Sequence, residues 1–236
     1  MKFYMLVLAL DTTTRQGSVA VTRDGQLLGT YAGDPTVTHG ERLPADLMRV
    51  LTAHALRVRD VDLFAVASGP GSFTGLRIGI ATQQGLALAN NRPLVGISAL
   101  DALNAAAISS GAVAAWIDAQ RKQVFSALYE DGRVIEHPIV DTPEHILVRW
   151  TAEGIRPTLF IGDGAVTYKD VIRRRAPGAR VANEVPMLAP SIARLAEEQL
   201  RERGSDPPDA IRALYVRRSD AELARDRKTP NPTSAS

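Results

Sequence analysis

A glycine-rich run, Ser68 to Gly79, constrains the fold more than any other part of this 236-residue chain. The apolar segment 62–67 before it has the length of a buried strand, and the proline-free segment 80–90 after it is rich in helix-forming Ala, Leu and Gln. The order strand, glycine turn, helix is typical of one layer of an α/β sheet. Glycines let the backbone pass close to another group, and a helix N-terminus offers unpaired N–H groups to an anion or a partner. The motif alone leaves a structural turn and a phosphate site both open.

Turn signals along the chain predict one group of strands twice. The first strand, Tyr4 to Leu10, is followed by Asp11, and two further strands meet at the turn Asp24-Gly25. About a hundred residues later the same order of an aspartate-ended strand and two further strands returns, beginning with a strand that ends at Asp118. This repeat favours two similar lobes, and chance recurrence of a common hairpin is the alternative. The other predicted elements are strands at 17–22, 26–31, 95–98, 123–130, 133–137 and 158–162, a turn at 163–165, and helices at 99–107 and 191–203.

A helix is predicted at 38–56, before the glycine motif. Thr38 and Glu41 have the spacing of a capping box, which marks where this helix begins. His54 falls at the end of the apolar stripe, and we interpret it as a packed residue. The stripe comprises Leu43, Leu47, Val50, Leu51 and His54.

A second helix is predicted at 74–91, and its large apolar residues do not fall on one stripe. Ala81, Gly85 and Ala89 add a ridge of small residues at spacing four. A helix that is apolar nearly all round is buried nearly all round, and a sheet covers only one side of it. The other side therefore needs a neighbour, either the second lobe of this chain or another chain.

The composition is that of an ordinary globular protein. Hydrophobic residues make up 45% and charged residues 23% of the chain, and the absence of cysteine excludes disulfides and thiolate metal sites. The net charge of +2 indicates no basic arm. Without interleaved aromatic residues, Arg173 to Arg175 are interpreted as a solvated helix face, not an RNA groove. The apolar run 3–10 is too short for a membrane span, so we expect no membrane association and a cytoplasmic location.

Longer blocks of the sequence resemble the TsaB family, the companion subunit in bacterial synthesis of N6-threonylcarbamoyladenosine (t6A) on tRNA. The blocks occur in family order and cover most of the chain. They are Leu10–Thr13, Thr38–Leu43, Ser68–Gly79, Gly85, Pro93–Leu100, Trp116–Arg121 and Tyr215–Glu222. The resemblance implies a two-lobed, actin-like (ASKHA, ribonuclease H-like) α/β fold with mixed sheets flanked by helices. It places an N-terminal lobe over 1–108, a C-terminal lobe over 109–216 and a mostly disordered tail over 217–236.

The resemblance also implies a function. It describes a non-catalytic scaffold subunit that binds and activates a TsaD-type threonylcarbamoyltransferase, with a TsaE-type ATPase completing the system. It implies tRNA contact only through that complex, ATP used by the complex near the subunit interface, no tightly bound cofactor on this chain, and a homodimer when the chain is alone. A stand-alone actin-like ATP-binding kinase or ATPase is the alternative, and a peptidase is a more distant one.

Five residues are weak candidates for nucleotide binding. In ATP-using actin-like proteins an aspartate after the first strand helps to hold the metal and phosphates, and Asp11, followed by Thr12, and Asp118 stand at such positions. Gly162 and Gly164 stand where a glycine turn would face the nucleotide. Carboxylates bind Mg²⁺ and glycines admit a phosphate, but the same residue types are common at hairpin ends. We expect both aspartates to bond to nearby backbone N–H groups and MgATP to bind weakly or not at all.

We expect no catalytic residue and no metal site in this chain. The TsaD paralogue carries two histidines four residues apart on one helix, and the positions aligned with them hold Ala99 and Leu103, which cannot bind metal. The run Gly71–Gly75 resembles a hydrolase nucleophile elbow, but Ser72 lies one place early and no Asp and His partners follow in the expected order. A peptidase would need a histidine within reach of Ser72.

We predict that helices 38–56 and 74–91 form the surface that meets the TsaD-type subunit, or a second copy of this chain. Large apolar patches are unusual on monomers, and methionine is common at adaptable contact surfaces. The alternative is that the second lobe folds over these helices and hides them. The candidate interface residues are Leu47, Met48, Leu51, Ser72, Phe73, Thr74, Arg77, Ile78, Ala81, Gly85 and Leu88.

Overall fold

The computed structural model describes residues 4–214 and Val216, and its strands form two mixed sheets of five. The first sheet is built from β1 (Leu6–Asp11), β2 (Ser18–Arg23), β3 (Gln26–Ala32), β4 (Leu63–Gly69) and β5 (Leu94–Ser98). Its spatial order is β3-β2-β1-β4-β5, with β1 antiparallel to β2 and parallel to β4. Short turns join the antiparallel strands, whereas the parallel strands β4 and β5 need a helical crossover between them.

The second sheet repeats the first strand for strand. It is built from β6 (Val113–Asp118), β7 (Val124–Glu130), β8 (Arg133–Asp141), β9 (Leu159–Ile161) and β10 (Arg180–Val181), in the order β10-β9-β6-β7-β8. Its central strand β6 is again antiparallel to the next strand in sequence and parallel to β9. The sheets therefore confirm the repeat and the expected two-lobed α/β fold with mixed sheets flanked by helices.

Helices cover both faces of the sheets and connect the lobes. Those of the described residues are α1 (His39–Thr52), α2 (Phe73–Asn90), α3 (Ala99–Ala106), α4 (Pro143–Ala152), α5 (Asp163–Thr167), α6 (Lys169–Arg175) and α7 (Ala189–Arg203). The last helix of each lobe crosses to the other one, since α3 packs on β6 and α7 packs on β1 and β2. The segment after α7 also returns to the first lobe, where the Leu214 N–H donates to the Ser68 carbonyl at 2.7 Å. A division of the chain at residue 108 therefore assigns each sheet to one lobe, but α3 and α7 each pack on the sheet of the other lobe.

Three apolar cores follow from the alternation of side chains along the central strands. Leu8 and Leu10 of β1 face α1 and α2 in an outer core, while Val7 and Ala9 face α7 in a core shared by both lobes. The second lobe has its own outer core, in which the Trp116 and Phe160 rings meet edge to face at 5.0 Å. Burying a leucine contributes about 1.5 to 3 kcal/mol. The shared core buries several, Leu63 and Leu100 among them, and therefore fixes the two lobes to each other.

Several local predictions need correction. The first strand begins at Leu6, and Tyr4 is 63% exposed. Helix α1 ends at Thr52, so His54 lies beyond it and is exposed, not packed on its stripe. The predicted turn at 163–165 is the first turn of α5. Helix α4 was not predicted, although Thr142 caps it and Pro143 occupies its first turn.

The predicted disordered tail from residue 217, and most of the block Tyr215–Glu222, lie outside the described residues. Among the residues that are described, none of the helices combines the length and apolar character needed to cross a bilayer.

Candidate partner-binding surface and interlobe cleft

The glycine motif brings α2 against the loop between β1 and β2. A Cβ at Gly71 would lie 2.6 Å from the Thr13 Cβ, and one at Gly75 would fall well under 3.0 Å from the Thr12 carbonyl oxygen. The Ser72 N–H donates to the Thr13 carbonyl at 2.8 Å, and the Ser72 Oγ caps the helix by accepting from the Gly75 N–H at 3.2 Å. The glycines therefore allow a close approach between two parts of this chain.

The side of α2 that faces away from the sheet is exposed and largely apolar. Phe73 and Leu88 are 39% and 59% exposed, and the Arg77 guanidinium stacks 4.0 Å from the centre of the Phe73 ring. Ala81 and Gly85 between them are exposed as well, and a Cβ at Gly85 would meet nothing within 4 Å. The second lobe therefore leaves this side of α2 open in the part of the chain that the structure describes. The segment 208–211 covers another flank of the helix, where Gln84 Nε2 donates to the Pro208 and Ile211 carbonyls at 2.9 and 3.1 Å.

Helix α1 contributes less to this exposed surface than predicted. The capping box of Thr38 and Glu41 is formed as expected. Leu47 and Leu51, predicted as interface residues, are buried in the outer core of the first lobe, because their stripe faces β1 and β2. Met48 is 44% exposed and remains available to a partner.

The predicted interface residues with exposed side chains are Met48, Ser72, Phe73, Thr74, Arg77, Ala81, Gly85 and Leu88. Ile78 is half-buried and lies 4.0 Å from the position of a Cβ at Gly40, where α1 and α2 meet. We call the set Met48, Phe73, Arg77, Ala81, Gly85 and Leu88 the α1–α2 surface.

A buried arginine on α1 holds the β1–β2 loop from the other side. The Arg42 guanidinium forms an ion pair with Asp46 and donates to the carbonyls of Arg15, at 3.2 Å, and Gln16. It also donates to His39 Nδ1 at 3.0 Å, so His39 Nε2 carries the proton that it donates to the Thr14 carbonyl at 2.8 Å. Burial lowers the pKa of His39, which favours this neutral form.

Sequence patterns did not single out this Arg42 network. The available signal was an Arg–Asp pair at spacing four on a helix, which is more often an exposed pair. Its burial depends on Gly33, because a Cβ there would collide with the Arg42 guanidinium.

The weak nucleotide candidates Asp11 and Asp118 lie at the ends of β1 and β6, where the lobes meet. The Asp11 carboxylate accepts from the Thr13 N–H at 2.8 Å and from the Thr13 hydroxyl at 2.6 Å. The Asp118 carboxylate accepts from the backbone and side-chain amides of Gln120 at 3.0 and 2.9 Å. The prediction that both would bond to nearby backbone N–H groups is confirmed. Thr12 is buried beneath α2, where it faces Gly79.

Asp163 is a further carboxylate in this cleft that the sequence did not single out. It accepts from the N–H groups of Asp118, at 3.0 Å, and Gly164, at 2.9 Å. Burial raises its pKa to about 6, and the negative charges of Asp118 and Asp11 add to that effect. Burial also raises the pKa of Asp11, against the opposing hydrogen bonds from Thr13.

Gly162 and Gly164 serve close packing in the same way as the glycines of α2. A Cβ at Gly162 would collide with the Trp116 carbonyl, and Gly162 has φ = 111°, a backbone conformation that favours glycine. A Cβ at Gly164 would lie 2.9 Å from the Ile117 carbonyl carbon. Both glycines therefore bring α5 close to the end of β6.

Among the described residues, the cavity next to these carboxylates is small. The cavity lined by Asp11 and Asp163 has a volume of about 20 Å³, and the segment 185–188 closes it. That volume holds about one water molecule, whereas ligand pockets measure about 300 to 1,000 Å³. In this conformation a nucleotide would need the segment 185–188 to move.

Catalytic chemistry finds little support in the described residues. Ala99 and Leu103, at the positions aligned with metal-binding histidines, are buried in the shared core. The described part of the chain has no cluster of three His, Cys, Asp or Glu residues that could hold a metal ion. The Ser72 oxygen is the helix cap of α2, and no hydrogen bond among the described residues joins it to a histidine.

Comparison with known proteins gives concordant matches. The family model described as TsaD, tRNA N6-adenosine threonylcarbamoyltransferase, matches residues 36–222. A tRNA threonylcarbamoyladenosine biosynthesis protein TsaB from Bacillus subtilis is 28% identical over 71% of this chain and 75% of its own length. The TsaB protein of Escherichia coli is 38% identical over 53% of this chain and 55% of its own length.

A solved structure supports the same assignment over nearly the whole chain. YeaZ from Pseudomonas aeruginosa superposes with a TM-score of 0.74 at 29% identity, covering 89% of this chain and 99% of its own. The chain therefore belongs to the family that the TsaD model describes and, within it, to the TsaB family.

Proposed function

We propose that this chain takes part in t6A biosynthesis as a non-catalytic subunit that binds and activates a TsaD-type threonylcarbamoyltransferase. The names of its relatives support the pathway, since the Bacillus subtilis and Escherichia coli proteins are both called t6A biosynthesis proteins. The matching family model, whose description names the transferase itself, supports a TsaD-type partner.

The observation that carries the proposal is the exposed α1–α2 surface. A helix that presents Phe73 and Leu88 on one side, with small residues between them, offers both apolar area and room for a facing helix. Large apolar side chains in such a patch are the usual sources of binding energy. The partner would bury these side chains without any rearrangement of the first lobe.

The same surface accounts for the expected self-association. In the absence of the partner, two copies would meet through equivalent α1–α2 surfaces around a two-fold axis, since an isologous contact requires only one self-complementary patch. A TsaD-type subunit of similar fold would then replace one copy. In this proposal tRNA is modified only on the complex, and a TsaE-type ATPase acts on that complex with ATP near the subunit interface.

The experiment is co-purification and calorimetry with the TsaD homologue from the same genome. Leu88→Glu and Met48→Glu place a charge in the proposed contact, and we expect each to weaken binding at least about tenfold. Val148→Glu is the matched control, because Val148 is 49% exposed on α4, the helix that occupies the place of α1 in the second lobe. Leu51 is unsuitable because it is fully buried.

Light scattering on the same variants tests whether the chain alone forms the expected homodimer. We expect the wild-type chain and Val148→Glu to dimerise and Leu88→Glu to be a folded monomer. Normal binding of the TsaD homologue by folded Leu88→Glu and Met48→Glu would show that the interface lies elsewhere.

The alternative, a stand-alone ATPase, predicts that the isolated chain binds nucleotide tightly. With Asp11 bound to Thr13 and a cavity of about 20 Å³ beside it, we expect calorimetry to show weak or no binding of MgATP by the isolated chain. Submicromolar affinity that is lost in Asp11→Ala would favour the ATPase instead.

A further inference from the structure

A short segment of the second lobe carries a cluster of positive charge. Residues 169–184 hold five of the 28 Lys and Arg residues but only two acidic residues, a net charge of +3. The whole chain has a net charge of +2, so the rest of it carries −1. The five cationic residues of this basic patch are Lys169, Arg173, Arg174, Arg175 and Arg180, and all of them are exposed.

The fold gathers these residues from two elements around a groove. Arg173, on α6, and Arg180, on the edge strand β10, both line a cavity of about 840 Å³. The walls include the exposed apolar side chains of Ile108, Val185 and Met187, while the Asn183 amide supplies polar groups. This volume lies in the range of pockets that bind nucleotide-sized ligands.

Local helix electrostatics account for only part of the patch. Cationic side chains near the C-terminus of a helix interact favourably with its dipole, which explains Arg173 to Arg175 at the end of α6. Lys169 lies at the opposite end of that helix, where the dipole disfavours a cation, and Arg180 lies on a separate strand. Among the described residues the only ion pair of this patch is the long one between Arg173 and Asp170, at 3.9 Å. Glu184 is the one carboxylate among the described residues that line the groove.

We propose that this basic patch, with Arg173 and Arg180 at its centre, binds the phosphate backbone of RNA. Four of the five cations are arginines, whose planar guanidinium groups bind phosphate oxygens in pairs and stay charged at any working pH. Charges that fan out over a helix end and a strand edge suit an extended polyanion better than one small anion or a single acidic side chain. The patch lies on the second lobe and shares no residue with the α1–α2 surface. It replaces the sequence-based interpretation of Arg173 to Arg175 as a solvated helix face, because the fold adds Arg180 and a groove to them. It extends the proposed function, which supplies only the choice of tRNA as the probe.

The test is the salt dependence of tRNA binding. An unmodified, fluorescently labelled tRNA transcript is titrated with the complex of this chain and the TsaD homologue at several salt concentrations. Each phosphate that a cation neutralises contributes about 0.7 to 0.9 to the magnitude of the slope of log affinity against log salt. The double variant Arg173→Glu, Arg180→Glu should therefore lower that magnitude by about 1.4 to 1.8. We also expect its affinity at low salt to fall at least about tenfold.

A charge-matched control separates this patch from a general effect of net charge. The double variant Arg59→Glu, Arg133→Glu changes the charge equally at two exposed positions away from the groove, and we expect it to keep the wild-type slope. Equal losses in both double variants, or a wild-type slope in the patch variant, would overturn the proposal. If the patch variant kept the wild-type salt slope but lost binding to a protein partner, the patch would be assigned to an acidic protein instead.

The outcome does not depend on the α1–α2 surface. Light scattering reports separately whether the complex with the TsaD homologue forms. If it does not form, the proposed function fails while the titration is carried out on the chain alone, with the same expected difference between the two double variants.

Discussion

Alanine at Gly75 should destabilise this protein, whereas alanine at Gly85, on the same helix, should stabilise it. A Cβ at Gly75 would come well under 3.0 Å from the Thr12 carbonyl oxygen and 3.3 Å from the Ser72 Cβ. A Cβ at Gly85 would meet nothing within 4 Å. The two glycines thus share a helix but differ in what lies beside them.

The expected magnitudes follow from two opposing terms. Replacing a helical glycine by alanine gains about 0.5 to 1 kcal/mol at either position. At Gly75 the helix must also move about 1 Å away from a backbone oxygen, and overpacking of this kind costs about 1 to 3 kcal/mol. We therefore expect a net loss of about 1 to 2 kcal/mol for Gly75→Ala and a gain of up to about 1 kcal/mol for Gly85→Ala.

Urea unfolding followed by circular dichroism measures both variants against the wild type. Fluorescence alone would be misleading, because the two tryptophans, Trp116 and Trp150, lie in the outer core of the second lobe. A separation of about 2 to 3 kcal/mol corresponds to roughly 5 to 10 °C in melting temperature for a chain of this size. Equal stability of the two variants would refute the close packing of α2 on the β1–β2 loop as the reason for the glycine motif.

Two further predictions concern buried charged groups. The pKa of Asp163, about 6, exceeds the value of about 3.8 in the unfolded chain, so the folded state binds more protons and its stability should fall as the pH rises from about 4 to 6. Asp163→Asn keeps an acceptor for the Asp118 and Gly164 N–H groups and should reduce this fall to the part due to Asp11, whose pKa burial also raises, adding about 1 to 3 kcal/mol at pH 7.5. An unchanged pH profile of urea unfolding would contradict it. Arg42→Lys should cost about 2 to 3 kcal/mol and speed hydrogen exchange in loop 12–17, because lysine cannot reach Asp46 and the loop carbonyls together. The control Arg49→Lys changes an exposed arginine stacked on Tyr31 and should cost less than about 1 kcal/mol; equal effects in the two would refute the role of Arg42.

Local patterns were sufficient to predict most elements of the fold. The capping box at Thr38 marks the start of α1, and the turn Asp24-Gly25 joins the strands β2 and β3 as expected. Asp131-Gly132 joins β7 and β8 in the same way. These features depend on residues within a few positions of each other, where turn chemistry and capping act. Helix α4 carries comparable local signals, with Thr142 at its N-cap and Pro143 in its first turn.

The α1–α2 surface and the basic patch depend more than these elements do on contacts between distant parts of the chain. The exposed side of α2 could be inferred only as a side in need of a neighbour, because an all-apolar pattern does not say whether that neighbour belongs to the same chain. The structure shows that Leu47 and Leu51 face the sheet and that Phe73 and Leu88 face outward. It also places Arg173 beside Arg180, although they lie on different elements.

What the sequence determined by itself was therefore the kind and order of the elements, since propensity, capping and turn residues act over short distances. The tertiary structure decided which neighbour each glycine serves, where Arg42 is buried, and that segment 185–188 closes the cleft beside Asp11. Each of these depends on contacts between separate elements of the chain, such as Gly75 with Thr12 and Arg42 with Gln16. Their approach is set by the packing of whole sheets and helices, which no local window of residues contains.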